Sequence, residues 1–106
     1  ILGVLAAVAI PKFVDLKTDA RTAALAGVAG ALSSAAAINY ASRSANIANG
    51  NAVTNCSNVA TSMQGGVPAE YSITAAAVAA NASVSCTLST VSTPVITTTF
   101  TAIGIL

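Results

Sequence analysis

The sequence predicts an α+β fold in which a long, bent N-terminal α-helix packs on a small antiparallel β-sheet. Good helix formers without a proline run from residue 13 to residue 46. After residue 70 the hydrophobic period changes from 3.6 to 2, which is the period of strands. We therefore expect a helical part over residues 1–48 and a loop followed by a sheet over residues 49–106.

The composition argues against an enzyme. The chain has 106 residues, of which 55% are hydrophobic and only 7% are charged, with a net charge of +1. Globular domains carry roughly a quarter charged residues. Histidine is absent, which removes the usual general base and the commonest metal ligand. We expect no catalytic activity, no cofactor, no metal and no binding to nucleic acid.

The few acidic residues do not change this expectation. Asp15, Asp19 and Glu70 are the only carboxylates that could act as bases. Asp15 and Asp19 lie one helical turn apart, a spacing that would suit a cation, but a solvated helical face explains them better. The many hydroxyl side chains have no base to activate them.

The first ten residues, ILGVLAAVAI, contain no polar side chain. A helix that is apolar on all sides must be buried on all sides. Ten residues rise about 15 Å, half of the roughly 30 Å hydrocarbon core of a bilayer. The segment is therefore either a buried core helix or, as we expect, the second half of a longer apolar helix. Ala7-Val8-Ala9 has the form of a signal-peptidase site, but no basic region precedes it.

Pro11 divides the predicted helix. A proline inside a helix removes one backbone hydrogen bond and crowds the preceding turn, so we expect a kink around residues 7–11. Five of the seven charged residues follow within residues 12–21. The helix is thus expected to have an apolar half over residues 1–11 and an amphipathic half over residues 12–48.

Two faces of the amphipathic half can be read from its periodicity. One face contains Phe13, Leu16, Ala20, Ala23, Gly27, Ala31, Ser34 and Ile38, and the second contains Leu25, Val28, Leu32, Ala35 and Asn39. Small side chains allow a sheet or a neighbouring helix to approach closely. We expect the helix to end within residues 46–50, where asparagine and glycine are available for a left-handed cap.

Period-two alternation predicts three strands, with a fourth as an alternative, joined by short turns and therefore antiparallel. The first contains Tyr71 and Ile73, and the second points Val84, Cys86 and Leu88 to one side. In the last strand the inward residues are Ile96, Thr98, Phe100 and Ala102. Residues 51–70 are expected to form an irregular loop.

Cys56 and Cys86 are the only cysteines. A zinc site would need four ligands, and no C-x-x-C motif is present. We expect a structural disulfide, which would stabilise the fold by about 3–4 kcal/mol for a closed loop of this length. A disulfide in turn indicates an extracytoplasmic compartment.

Three segments resemble a known family. The run ILGVLAAVAIPKF is similar to the second half of the N-terminal segment of bacterial type IV pilins. The following VDLKTDARTAALAGVAGALSSAAAINYA resembles the mannose-sensitive haemagglutinin type of pilin, and TFTAIGI resembles the last strand of that group.

The resemblance implies a bent helix on an antiparallel sheet, with Pro11 as the kinking proline and Cys56–Cys86 as the C-terminal disulfide. It also implies a subunit that the inner membrane holds by its apolar helix. The pilus assembly machinery would then polymerise it into a homo-oligomeric, extracellular filament for adhesion, motility or DNA uptake. The family's processing site, methylated first residue and near-terminal glutamate would lie upstream of Ile1.

The expected functional site is therefore an interface between subunits. Its residues form the filament core: Ile1, Leu2, Val4, Leu5, Val8 and Ile10. The physical basis is that one apolar surface suits both lipid and a bundle of helices.

Other functions remain open. A pseudopilin of a type II secretion system shares the helix but forms a short periplasmic assembly. A conductive filament would need more aromatic residues than Phe13, Tyr40, Tyr71 and Phe100. Eleven of the 19 residues from Ser83 to Thr101 are Ser or Thr, which fits a polar sheet face and also allows O-glycosylation.

Overall fold

The computed structural model describes the backbone of residues 2–106 and the side chains of residues 17–106. One helix, α1, spans Leu2–Ala45 and gives the protein its length of 67 Å against 20 Å in each other direction. It ends three residues before the predicted boundary, and Arg43 in its last turn donates to the carbonyl oxygen of Ile47 at 2.8 Å as the chain turns away. α1 is continuous through Pro11, and the kink expected around residues 7–11 stays a prediction.

A short 3₁₀ helix, Cys56–Ser62, occupies part of the segment that the sequence predicts as an irregular loop. Two asparagines start it. The Asn55 side chain accepts a hydrogen bond from the backbone N–H of Ser57, and the Asn58 side chain accepts from the backbone N–H of Asn55. This reciprocal capping satisfies donors that would otherwise be unpaired at the start of the helix.

As predicted, three strands form one antiparallel sheet, and their order in it is β1-β2-β3. They are β1 (Tyr71–Ile73), β2 (Ser83–Thr90) and β3 (Thr97–Ile103). In place of a fourth strand, isolated bridges pair Val53 with Ile105, Asn55 with Ala77 and Ala80 with Gly104. A side chain at Gly104 would clash with the carbonyl of Ala79, so this close approach requires glycine.

The core lies between one face of α1 and the inner face of the sheet. Leu25 and Leu32 of α1 are 1% and 0% exposed, and they face inward-pointing residues of β2 and β3. The alternation predicted for the last two strands is confirmed. Its buried members are Cys86, Leu88, Phe100 and Ala102, while Val84, Ile96 and Thr98 are partly buried.

The predicted disulfide is present. Cys56 and Cys86 are both buried, and their Cα atoms lie 5.8 Å apart. The bond connects the start of the 3₁₀ helix to the middle of β2, so it ties the segment after α1 to the central strand of the sheet.

Candidate assembly interface

The two faces that the periodicity distinguishes have opposite environments. Leu25, Leu32 and Asn39 of the second face are buried against the sheet and loops. The described residues of the first face are all exposed: Ala20, Ala23, Gly27, Ala31, Ser34 and Ile38. Ile38, the largest of them, is 66% exposed. Only one face of α1 is therefore used to build the fold.

Two glycines on the exposed side of α1 have no role in packing within the chain. A Cβ atom built at Gly27 or Gly30 would meet no atom within 4 Å. Each glycine costs a helix about 1 kcal/mol relative to alanine. The fold of the single chain thus gains nothing from either glycine, although both weaken its longest element.

Arg21 holds α1 to the connection between β2 and β3. Its guanidinium donates to the carbonyl oxygens of Pro94 at 3.0 Å and Ser92 at 3.2 Å, and to the hydroxyl of Thr90 at 3.4 Å. Since the guanidinium is a rigid fork with five N–H donors, one side chain can hold several acceptors of a turn together.

Asn39 holds the other end of the packed helix. Its side-chain amide donates to the carbonyl oxygen of Asn51 at 2.8 Å and accepts from the N–H of Asn51 at 2.7 Å. The residue is 5% exposed, so these two bonds satisfy a buried amide. Gly50, with a φ of +68°, lets the loop come this close, because a side chain there would contact the Asn39 amide.

Neither contact is predicted by the sequence pattern. Asn39 stands on the face of Leu25 and Leu32, and a polar residue on a buried face signals that a partner exists. Arg21 carries no such signal, because it lies within a run of charged residues that reads as a solvated helical turn.

A groove of about 330 Å³ opens beside Arg21, between α1 and the start of β1. Three of its lining side chains are charged: Lys17, Arg21 and Glu70. Tyr71, Thr90 and Ser92 supply the aromatic ring and hydroxyls of the wall. The groove thus combines a net charge of +1 with a wall that also contains the apolar side chains of Ala20 and Ala24.

The predicted filament-core residues Ile1, Leu2, Val4, Leu5, Val8 and Ile10 have side chains that lie outside the described residues. The side chain of Asp15, whose one-turn spacing from Asp19 would suit a cation, lies outside them as well. Within residues 17–106 no group of three or more His, Cys, Asp or Glu residues could hold a metal ion.

The stretch Lys17–Ala45 of α1 is long and apolar enough to cross a membrane, with a mean hydropathy of 1.3 in its most apolar window. Only 28% of that window is buried within the subunit. Core helices of soluble proteins and signal sequences also meet this criterion of length and composition, but a core helix is mostly buried.

No protein-family model matches this chain, and no curated protein or solved structure is significantly similar to it. The fold and the two faces of α1 are therefore the observations on which a function must rest.

Proposed function

We propose that this chain is the structural subunit of an extracellular filament of the type IV pilus kind, assembled through its N-terminal helix. The apolar segment of residues 1–11 anchors the subunit in the inner membrane before assembly. It then enters a bundle of equivalent helices at the filament core, where Ile1, Leu2, Val4, Leu5, Val8 and Ile10 make the contacts.

The observation that carries this proposal is the exposed face of α1. Ala23, Gly27 and Ser34 lie on a helix 44 residues long, of which the sheet covers one side only. The small side chains of this face would let the backbone of another helix approach closely. A face of this kind, on a helix whose first ten residues have no polar side chain, suits a bundle of helices better than water.

The energetics of such a transfer are plausible because the two environments are alike. Moving an apolar helix from lipid into a helix bundle exchanges one apolar environment for another, so hydrophobic burial changes little. Close packing and dispersion between small residues then decide whether the helices associate. Glycine and alanine maximise this packing.

The remainder of the subunit suits an exterior position. The disulfide between Cys56 and Cys86 is typical of proteins that leave the reducing cytoplasm. The outward side of the sheet carries exposed hydroxyl residues such as Ser85, Thr99 and Thr101, and no charged side chain occurs in β1, β2 or β3. Such a surface is well hydrated without repelling its neighbours.

Replacing Leu5 with Lys tests the proposal in the natural full-length protein. A charge placed in the apolar segment should abolish filaments, because a helix bundle offers it neither water nor a partner. Electron microscopy of surface fibres measures assembly. Near-ultraviolet circular dichroism and the intact disulfide check that the sheet domain has folded.

Thr99→Lys is the matched control, since it adds the same charge on the exposed side of β3. We expect it to leave filaments unchanged. Normal filaments from Leu5→Lys would overturn the proposal. Short periplasmic fibres in place of long surface fibres would instead assign the subunit to a type II secretion pseudopilus.

A further inference from the structure

We infer that neighbouring subunits make a charged contact in which Asp19 of one copy enters the groove beside Lys17 of the next. This inference rests on the proposed filament function and names one of its lateral contacts. It is carried by the charge distribution over the described residues, which is unusual because charged side chains are so few.

Residues 17–106 contain five charged side chains, Lys17, Asp19, Arg21, Arg43 and Glu70. Within the subunit the two arginines donate to backbone carbonyl oxygens, at Pro94 and Leu106 among others. No ion pair links any of these five side chains to another described residue. Lys17 and Asp19 are exposed, so their charges are available to a partner.

The two residues lie on opposite flanks of α1. A separation of two residues turns a helix by about 200° and advances it by about 3 Å. Lys17 lines the groove on the side of β1, and Asp19 consequently points to the other side at nearly the same height. The exposed small residues Ala23 and Gly27 lie between these flanks.

The charges of the two flanks are complementary. The groove holds Lys17 and Arg21 against the single carboxylate of Glu70 and so has a net charge of +1. Asp19 is the only acidic residue of α1 within residues 17–45. A second copy of this chain therefore brings the Asp19 carboxylate to a groove of opposite charge.

Such a contact would build an open assembly. It joins two different surfaces, so a row of subunits keeps one unfilled groove at one end and one free Asp19 at the other. Head-to-tail contacts of this kind generate an open helical filament unless the rotation between subunits closes a ring. Because Lys17 and Asp19 lie at nearly the same height on α1, the exposed face of Ala23 and Gly27 between them would turn toward the axis of the assembly.

Charge exchange in the natural full-length protein tests the contact. Lys17→Asp and Asp19→Lys should each lower the filament yield by about tenfold or more, since like charges then face each other at every contact. The double variant Lys17→Asp/Asp19→Lys restores the opposite charges and should recover filaments. Gln64→Asp and Gln64→Lys, at an exposed loop position, control for the change in net charge.

Disulfide cross-linking identifies the two residues directly. Lys17→Cys/Asp19→Cys filaments should yield a ladder of covalent oligomers on oxidation, because the two cysteines diverge within one helix and can only pair between copies. Ala26→Cys, two turns along the same flank from Asp19, replaces Asp19→Cys in the control and should give no ladder.

The outcomes separate the two proposals. If the wild-type protein forms filaments, but both single charge reversals assemble as well as the Gln64 variants, the contact is overturned and the filament function stands. A missing ladder from Lys17→Cys/Asp19→Cys filaments also overturns the contact. If the wild-type protein forms no filaments, both proposals fail.

Discussion

The two faces of α1 between residues 17 and 45 differ both in side-chain size and in what surrounds them. Toward the sheet, Leu25 and Leu32 are almost fully buried and meet the inner residues of β2 and β3. On the opposite side, Ala23, Gly27 and Ser34 are exposed. Leucines occur where the sheet provides a partner, and apart from Ile38 the opposite face carries only small side chains.

This difference separates residues that the fold needs from exposed residues that have no packing partner within the chain. A soluble helix normally places charged or long polar side chains on its solvent face. The exposed face of α1 instead carries alanine, glycine and Ile38, which is 66% exposed. We therefore expect substitutions on the buried face to change the free energy of unfolding and substitutions on the exposed face to change filament assembly.

The largest expected effect is the loss of a buried leucine. Leu32 has no exposed surface, so Leu32→Ala removes buried methyl groups and leaves a cavity beneath the sheet. We expect the free energy of unfolding to fall by about 3–5 kcal/mol. Urea unfolding of the subunit, held as a monomer in a mild detergent and followed by circular dichroism, measures the change.

Ile38→Ala is the matched variant on the other face of the helix. Because Ile38 is mostly exposed, its truncation should change the free energy of unfolding by less than about 0.5 kcal/mol. Equal losses from Leu32→Ala and Ile38→Ala would contradict the distinction between the faces.

The second effect concerns the polar residue of the buried face. Asn39→Ala leaves the N–H and the carbonyl of Asn51 without their partner, and we expect a loss of about 2 kcal/mol in the free energy of unfolding. Hydrogen exchange at the Asn51 amide should accelerate as well, since that amide donates to the side chain that is removed.

Asn51→Ala is its control, because the bonds to Asn39 come from the backbone of residue 51 and survive the substitution. The Asn51 side chain makes only a 3.4 Å contact with the carbonyl oxygen of Thr61. A loss from Asn51→Ala as large as that from Asn39→Ala would show that the amide of Asn39 is not what holds the loop.

Much of the fold could be predicted because its signals are local. The absence of proline over residues 13–46 and the spacing of Leu25 and Leu32 predict the helix, while alternation around Cys86 and Phe100 predicts the two longer strands. With only two cysteines in the chain, a structural disulfide has a single possible pairing. The helix and strand signals depend on neighbouring residues, and the disulfide pairing depends on the number of cysteines.

The missed features depend on contacts between distant residues. The 3₁₀ helix at Cys56 begins through exchanged side-chain bonds of Asn55 and Asn58, in a segment that otherwise resembles a loop. Arg21 holds carbonyls more than 70 residues away, and nothing in its neighbourhood indicates this. The sequence also presents both faces of α1 as packing surfaces, and only the position of the sheet decides which one the subunit buries.

The smallest expected effect is an increase in stability, and it is the sharpest test of the difference between the two faces of α1. Gly27→Ala adds a methyl group where no atom lies within 4 Å and improves the helix propensity. The isolated subunit should therefore become more stable by about 1 kcal/mol. The same methyl group would hold two closely packed helices apart, so filament yield should fall although the subunit is more stable.

The same glycine-to-alanine substitution at Gly50 is the control for the sign of the stability change. There the φ of +68° and the nearby Asn39 amide disfavour a side chain, so Gly50→Ala should destabilise the subunit. If Gly27→Ala raises stability and leaves filaments unchanged, the glycine has no role in assembly. If it lowers the stability of the monomer, the exposed face serves the fold after all. Only higher subunit stability together with weaker assembly separates the two faces as proposed, because no contact within the subunit can produce both changes.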